Sequence, residues 1–140
     1  MNNFCPCAVF GARVFFVYML SNKKNLLSGG PAIKYIIEKN LVKGILECGV
    51  DVIRLGLVTT PMYYYSWDLL DIHCGIMVTA SHNPKDDNGF KFSFDESGNV
   101  KGKDISDFYD FTVDGQFANG IGRFSKYDIV NDYLELYKMG

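Results

Sequence analysis

The sequence lacks a cysteine pattern that would tie it to a metal or to a disulfide framework. Its four cysteines among 140 residues are Cys5, Cys7, Cys48 and Cys74. Their spacing matches neither a zinc site nor the paired cysteines of a small secreted fold. Cys5 and Cys7, with only Pro6 between them, are too close for an ordinary disulfide. We therefore expect reduced thiols in a cytoplasmic protein.

An excess of charge of one sign is also missing. The formal net charge is −2 and acidic and basic residues are interspersed, so no basic stripe indicates a nucleic-acid partner. Internal repeats and low-complexity tracts are absent as well. The sequence does have a hydrophobic content of 48% and an aromatic content of 15%, which suffices for a folded core and argues against disorder. At this length we expect one domain.

No uninterrupted apolar run is long enough to span a membrane. Residues 4–20 are mostly apolar, but Pro6, Gly11 and Arg13 break the run, and a span needs about 18 or more consecutive apolar residues. The first three residues carry no positive charge, which a signal peptide would require. We expect a strand near Val14–Leu20 and no membrane partner, with a membrane anchor as the alternative.

The most informative stretch is 75–92, which has the sequence GIMVTASHNPKDDNGFKF. Its apolar run Ile76–Val78 predicts a buried strand. Pro84 ends the extended segment that follows, because proline cannot donate to a sheet and restricts the residue before it. Asn88-Gly89 predicts a turn, since both residue types tolerate positive φ. The chain then enters a second extended run at Phe90–Phe94.

The second predicted strand alternates between an aromatic face and a polar face. Its three phenylalanines point one way, while Lys91 and Ser93 point the other way. Ser81 lies on the loop between the two strands, so an exposed hydroxyl comes near a lysine ammonium. This combination suits phosphate chemistry, because the cation would stabilise a dianion attached to the hydroxyl.

Other interpretations of these residues stay open. A hydrolase triad is disfavoured, because the side chains of the neighbours Ser81 and His82 diverge and no Gly-x-Ser-x-Gly elbow is present. In an ordinary structural role Ser81 would cap a turn, His82 would orient the loop, and Lys91 would be solvated. Asp86 and Asp87 are more typical of a solvent-facing loop than of a metal site.

Residues 79–84, Thr-Ala-Ser-His-Asn-Pro, are followed at 88–91 by Asn-Gly-Phe-Lys. Together they resemble the phosphoserine loop of the α-D-phosphohexomutases, the phosphomannomutase/phosphoglucomutase family. Supporting similarity runs over about 28–137 and includes Val50–Ile53 and Thr59–Met62. It corresponds to the first of the family's four domains.

The resemblance implies that Ser81 carries a phosphoryl group. It also implies that His82 and Lys91 are catalytic, and that Asn83 binds the substrate or its phosphate. The reaction would be an intramolecular phosphotransfer between the 1- and 6-positions of a hexose phosphate, with a hexose 1,6-bisphosphate as activator. Mg²⁺ would be held in part by the phosphoserine at Ser81. The other metal ligands belong to further domains of the family, and no Asp-Gly-Asp-x-Asp run occurs in this chain.

The first 27 residues diverge from the family pattern. The glycine, acidic and arginine positions of its Gly-x-Asp-x-Arg-x-Ser stretch fall on Asn22, Lys24 and Leu26. We therefore expect a divergent segment, 1–27, and a domain I-like unit, 28–140, that ends before domains II–IV.

Two interpretations of function follow. In the first, the chain is the phosphoserine-bearing domain of a phosphohexomutase, either as a truncated form with little activity alone or as one partner of a split enzyme. The missing domains would then lie on a separate chain, or the chain would self-associate. In the second, it is a non-catalytic remnant or a sugar-phosphate-binding module.

The remaining pattern predicts alternating helices and strands. An amphipathic helix begins at Pro31 and ends at Gly49, with isoleucines and leucines on one side and charged residues such as Lys34 and Glu38 elsewhere. A strand at Val50–Val58 leads into a helix for which Thr60 is the predicted N-cap. With the resemblance to domain I, these elements predict a three-layer α/β/α sandwich with a mixed sheet.

The last part of the chain predicts two more helices. One covers Lys103–Val113, and the other begins with a capping-box-like segment, Ser125–Asp128, and runs through Lys138. An aromatic run at 63–67 precedes them in the helix after Thr60. We interpret that run as core rather than as a sugar-stacking platform.

Overall fold

The computed structural model describes residues 13–18, 30–72, 74–79, 83, 87–93, 100, 102–114 and 117–138. The described residues form the elements β1 (Arg13–Tyr18), α1 (Gly30–Glu47), β2 (Asp51–Leu57), α2 (Thr60–Leu70), β3 (Gly75–Val78), β4 (Phe90–Ser93), α3 (Lys103–Asp114), β5 (Phe124–Lys126) and α4 (Val130–Lys138). The predicted alternation of helices and strands is confirmed.

One sheet joins the five strands in the order β4-β3-β1-β2-β5. The pairs β1–β2, β1–β3 and β2–β5 are parallel, whereas β3–β4 is antiparallel. The antiparallel pair exists because only a loop separates β3 from β4, while the parallel pairs β1–β2 and β1–β3 need helical crossovers. The predicted mixed sheet is therefore confirmed.

Helices cover both faces of the sheet. On one face, α1 packs on a cluster that includes Val52, Ile76 and Val78, and α3 lies on the same side through Phe108, whose ring is 5.1 Å from that of Phe92. On the other face, α2 and the segment leading into α4 pack on a cluster formed around Tyr63, Met77 and Ile129. These two clusters make the predicted three-layer α/β/α arrangement.

A bulge in β2 changes which side chains reach the core. Phe16 of β1 pairs with Arg54 and Val17 pairs with Gly56, so Leu55 is an extra residue in β2. Gly56 has a φ of 78°, in the left-handed region that favours glycine. As a result the buried positions Leu55 and Val58 are three residues apart, and Leu57 is 57% exposed.

Thr59, rather than the predicted Thr60, caps the N-terminus of α2. The Thr59 Oγ1 accepts a hydrogen bond from the Met62 N–H, and Thr60 is already the first helical residue. Either threonine fits the sequence signature. The extended backbone of Thr59, with φ −82° and ψ 161°, makes it the cap, and Pro61 then lies in the first turn.

The predicted capping box at Ser125 is wrong. Phe124–Lys126 form the edge strand β5, which pairs with Val52–Arg54, and α4 begins only at Val130. Just before α4, the Asp128 Oδ1 accepts a hydrogen bond from the Val130 N–H. A three-residue exposed strand is too short to show the alternating pattern of a strand. The sequence around Ser125 therefore resembled the start of the following helix.

The segment before β5 is anchored to the start of β2. The Arg123 N–H donates to the Asp51 Oδ1 at 2.8 Å, and the guanidinium Nη2 donates to the Asp51 Oδ2 at 2.7 Å. These hydrogen bonds raise the pKa of Arg123 above its ordinary value. The backbone also approaches closely here, since a β-carbon added at Gly122 would overlap the carbonyl oxygen of Val50.

No helix within the described residues combines the length and the apolar character that crossing a membrane requires.

The close approach at Gly122 makes a testable prediction. Gly122→Ala should lower the free energy of unfolding by about 1–3 kcal/mol, because the new methyl group must displace the backbone of Val50, just before β2. Gly44→Ala is the matched control, since nothing lies within 4 Å of a β-carbon at that position of α1. It should raise stability by about 0.5–1 kcal/mol through helix propensity. Urea unfolding of the two variants measures both effects, and equal changes would contradict the account.

Candidate functional site

The segment that carries the predicted chemistry leaves the sheet at the end of β3 and returns at β4. The last ladder pair is Val78 with Phe90. Beyond it, the Thr79 N–H donates to the Gly89 carbonyl at 2.9 Å, which closes the base of the loop that contains residues 80–88. Thr79 is 3% exposed, so this closing hydrogen bond is shielded from water.

Gly89 permits this closure by its small size. A β-carbon at Gly89 would lie 3.1 Å from the Thr79 carbonyl oxygen, which is closer than ordinary contact. The expected positive φ is not used there, because among the described residues the positive-φ glycines are Gly49, Gly56 and Gly102. The Asn88-Gly89 pair therefore marks a close backbone approach rather than the left-handed turn that we predicted.

The structure describes only part of the predicted site. Ser81 and His82 lie outside the described residues, so their assignment as catalytic residues stays a prediction. Asn83 is described and is exposed at a bend in the loop. Lys91 is described in β4, where it is half-buried and pairs with Met77 in the antiparallel register.

The register shows which face Lys91 occupies. Directly opposed residues of an antiparallel pair project to the same face, so Lys91 shares the side of Met77 and α2. Phe92 occupies the other side, opposite Ile76 and against Phe108 of α3. The predicted separation of Lys91 from the aromatic face is therefore confirmed. Phe90, next to the loop, keeps 42% of its surface exposed.

Ser93 differs from the solvated polar residue that its place beside Lys91 suggested. It is fully buried and pairs with Gly75, over which the ring of Tyr63 packs. A β-carbon at Gly75 would overlap the Tyr63 hydroxyl. Burial raises the pKa of Tyr63 far above its ordinary value, so the phenol stays neutral at any physiological pH. Small residues at positions 75 and 93 thus make room for an aromatic side chain between α2 and the sheet.

The aromatic run of α2 is mainly core, as predicted. Tyr63 is fully buried and its ring lies 5.9 Å from that of Trp67 in an edge-on arrangement. Tyr65 contacts Tyr133 of α4 at 5.6 Å. Only Tyr64, at 38% exposure, reaches substantial solvent. Through these rings, α2 packs against both α4 and the sheet.

The loop emerges at the edge where the parallel strands end. β1, β2 and β3 run in the same direction, so their carboxyl ends meet at one edge, and α1 and α2 begin there. The N-terminal ends of helices carry partial positive charge. Ligands of open α/β sheets bind at such an edge, and its positive character favours anions.

Sequence reasoning missed an ion pair beneath this edge. On α1, Glu38 is 4% exposed and accepts hydrogen bonds from Arg54 of β2, from Nε to Oε1 and from Nη2 to Oε2, the latter at 3.2 Å. Lys34, one helical turn earlier, is 5% exposed. We had placed both α1 residues on the polar side of the helix. Arg54, flanked by Ile53 and Leu55 within β2, was the available signal.

No metal site is formed by the described residues alone. Among them, no three His, Cys, Asp or Glu side chains cluster closely enough to hold an ion. The Mg²⁺ that the resemblance implies therefore needs ligands beyond this part of the chain, and it stays a prediction.

Comparison with known proteins decides the ancestry of this arrangement. The family model described as "Phosphoglucomutase/phosphomannomutase, alpha/beta/alpha domain I" matches residues 34–117, more than half of the chain. The chain belongs to the phosphoglucomutase/phosphomannomutase family. The match covers α1 to α3, including the loop between β3 and β4, and the part of the family that it identifies is domain I.

Individual relatives agree with this assignment. The chain is 33% identical over 99 residues to the phosphomannomutase/phosphoglucomutase of Pseudomonas aeruginosa, which covers 71% of this chain and 21% of that protein. It is 36% identical over 104 residues to the phosphoglucosamine mutase of Bacillus pumilus, covering 72% and 22%. The chain thus spans about a fifth of the length of these curated relatives.

A solved structure shows the same fold. It is a phosphoglucomutase/phosphomannomutase family protein from Burkholderia thailandensis, with a TM-score of 0.73 and 29% sequence identity. The similarity covers 95% of this chain and 28% of that chain. The predicted membership of the family and the resemblance to its domain I are both confirmed.

The ion pair beneath the edge supplies a second prediction. Glu38→Gln should lower the free energy of unfolding by about 1–3 kcal/mol, because it removes a carboxylate charge that is 4% exposed and paired with the Arg54 guanidinium. The matched control is Glu47→Gln on the same helix. Glu47 pairs with Lys43 at 3.6 Å, and both side chains are exposed to solvent. Loss of this ion pair should therefore lower the free energy of unfolding by about 0.5 kcal/mol or less. Chemical denaturation measures both variants. Equal losses of unfolding free energy would show that the ion pair of Glu38 with Arg54 contributes no more than an exposed one.

Proposed function

We propose that this chain provides the phosphoserine-bearing domain of a phosphohexomutase. Membership of the phosphoglucomutase/phosphomannomutase family supports the proposal. The observation that carries it is the closed loop between β3 and β4, which begins two residues before Ser81 and returns the chain directly into the strand that carries Lys91. We infer that such a loop would bring the Ser81 hydroxyl near the Lys91 ammonium.

The proposed chemistry is transfer of a phosphoryl group between Ser81 and a hexose hydroxyl. The sugar oxygen attacks the phosphorus of phosphoserine, the bond from phosphorus to the serine Oγ breaks, and the serine oxygen regains a proton. Lys91 would neutralise charge on the transferring group, because a cation near the equatorial oxygens stabilises the transition state. His82 would move the proton, and Asn83 would hydrogen-bond the substrate or its phosphate.

The transfer reverses with the other end of the sugar. A hexose 1,6-bisphosphate forms when Ser81 gives up its phosphoryl group, and the serine is phosphorylated again by the other phosphate of that intermediate. The sum is an isomerisation of a hexose phosphate without net gain or loss of phosphate. A hexose 1,6-bisphosphate can therefore charge an unphosphorylated Ser81, which is the reason to expect it as the activator.

The proposed partners are a hexose phosphate and the remaining parts of a phosphohexomutase. The relatives are several times longer than this chain, and the described residues hold no metal cluster of their own. Metal ligands, sugar selection and a clamp for the second phosphate would come from those parts. We also propose residues 28–140 as the domain I unit and assign 1–27 no part in the chemistry.

A second candidate is a sugar-phosphate-binding module that does not transfer phosphate. The departures at Asn22, Lys24 and Leu26 from the family's Gly-x-Asp-x-Arg-x-Ser stretch favour it, because they replace the acidic and arginine positions of that stretch. The two candidates differ in whether Ser81 becomes phosphorylated, because a binding module would leave it unmodified.

Covalent labelling separates the two candidates. The chain, co-expressed with the remaining segment of the Pseudomonas aeruginosa relative, should gain one phosphoryl group when incubated with glucose 1,6-bisphosphate. Fragmentation and mass spectrometry should place that group on Ser81, and Ser81→Ala should abolish it. Ser125→Ala, in an exposed edge strand far from the loop, is the control that should label normally. Label that survives Ser81→Ala would refute the proposal, and binding of the sugar without any label would favour the second candidate.

A further inference from the structure

The outward side of α3 carries an exposed apolar stripe. All 12 residues of this helix are described, and none of them is buried. Ile105, Tyr109 and Val113 are 47%, 64% and 65% exposed, and their spacing of four residues places them on one face of the helix. Phe108, by contrast, packs on Phe92 of the sheet. A contiguous exposed stripe of large apolar side chains marks a surface that binds a partner.

A second stripe of the same helix is acidic. Asp107, Asp110 and Asp114 are exposed and lie three or four residues apart, so they share a face that borders the apolar stripe. Lys103 pairs with Asp107 at 2.7 Å, but α3 contains four aspartates and one lysine and therefore keeps an excess of negative charge. A partner that fits this helix must offer apolar surface beside positive charge, and a second α3 would be repelled.

The same chain has a surface of that kind along the second half of α1. It is a shallow groove of about 320 Å³ between α1 and the segment before β5. The side chains that line it are Lys39, Val42, Lys43, Leu46, Glu47 and Ile121. Its floor is apolar, and Ile121 is 96% exposed. Because Lys43 pairs with Glu47 at 3.6 Å, the exposed Lys39 gives the border of the groove a net positive charge.

The α3 stripes and the α1 groove lie on the same side of the sheet. α1 packs on the cluster that contains Val52 and Ile76, and α3 reaches that cluster through Phe92. A twofold axis perpendicular to this side can therefore place α3 of each copy on the α1 groove of the other copy. Every contact then occurs twice, as in any dimer with twofold symmetry.

We propose that this side of the sheet is the interface of a symmetric homodimer, in which α3 of each copy binds the α1 groove of the other. The apolar stripe packs on Val42, Leu46 and Ile121, and Asp110, in the middle of the acidic stripe, faces Lys39. Opposite charges thus meet in both contacts, which fixes the partner and its orientation. Lys91 projects to the other side of the sheet, so the dimer leaves it uncovered. The proposal does not depend on the proposed function.

Analytical ultracentrifugation of the full 140-residue chain over a concentration series tests the interface. The result expected is an equilibrium between monomer and dimer. Tyr109→Ser should raise the dissociation constant of the dimer about tenfold or more, because a large aromatic side chain is lost from the contact. Tyr137→Ser is the matched control, since this tyrosine of α4 is 69% exposed and α4 packs with α2 on the opposite side of the sheet. It should leave the dissociation constant unchanged.

Two outcomes of that experiment would overturn the proposal. One is a chain that stays monomeric at every concentration. The other is a dimer that Tyr109→Ser weakens no more than Tyr137→Ser does.

Charge reversal tests the pairing of the two helices. Lys39→Glu and Asp110→Lys should each dissociate at concentrations where the unsubstituted chain dimerises, because like charges then face each other in both contacts. An equimolar mixture of the two variants should associate again, since the reversed charges pair in one contact and the native charges pair in the other. Single variants that still dimerise, or a mixture that stays monomeric, would overturn the proposal.

Another part of a phosphohexomutase is the alternative occupant of this side. Co-expression of the chain with the remaining segment of the Pseudomonas aeruginosa relative distinguishes the two. The result expected is that Tyr109→Ser weakens the homodimer and leaves any complex with that segment intact. A complex with the segment that Tyr109→Ser dissociates would assign the surface to that segment and overturn the proposal.

Discussion

The hydrogen bond from the Thr79 N–H to the Gly89 carbonyl, at 2.9 Å, fixes the geometry on which the site depends. It continues the β3–β4 ladder by one step beyond Val78 and Phe90. Without it the two ends of the loop would be free to separate, and the entropy of an open loop of this length would oppose any single placement of its side chains. Because Thr79 is buried, water competes little for its N–H group or for the Gly89 carbonyl.

The same closure relates the loop to Lys91. Lys91 is the second residue after Gly89, and side chains alternate between the two faces along β4. Closing the loop therefore also sets the face on which Lys91 projects. The burial of Ser93 against Gly75 and Tyr63 holds that register from the opposite end of β4. A one-residue slip would put Lys91 on the side of Phe92 and α3. The register of β4 therefore fixes the position of Lys91 relative to the loop.

Electrostatics favour the same edge of the sheet. The parallel order of β1, β2 and β3 places the starts of α1 and α2 beside the loop, and helix N-terminal ends carry partial positive charge. In a site of reduced polarity such charges act over longer distances than they would in water. An anion at this edge would thus meet the positive charge of Lys91 on β4 and of the N-terminal ends of α1 and α2.

The sequence predicted the architecture well because its strongest signals are local. The apolar run at Ile76–Val78, Pro61 in the first turn of α2, Gly49 after α1 and the helical periodicity are signals within short stretches, and the structure confirms them. The errors arise where the outcome depends on distant contacts. Glu38 was assigned to solvent because its partner Arg54 lies in another element.

Ser125 shows the same limitation at the other end of the chain. It resembled a helix cap because the pairing of β5 with β2 is not visible in a three-residue strand. The role of Ser81 stays a prediction. It depends mainly on the motif, because a loop serine has no periodic environment.

The central claim is that the Lys91 ammonium lies close enough to the Ser81 oxygen to stabilise a phosphate on it. The direct measurement is a ³¹P NMR pH titration of the chain carrying phosphoserine at position 81. A nearby cation favours the dianion, so the second pKa of the phosphate should fall below its usual value of about 6. Lys91→Met should raise this pKa, whereas Lys126→Met, in the exposed strand β5 at the opposite edge of the sheet, should leave it unchanged. A titration curve of Lys91→Met identical to that of the unsubstituted chain would contradict the account.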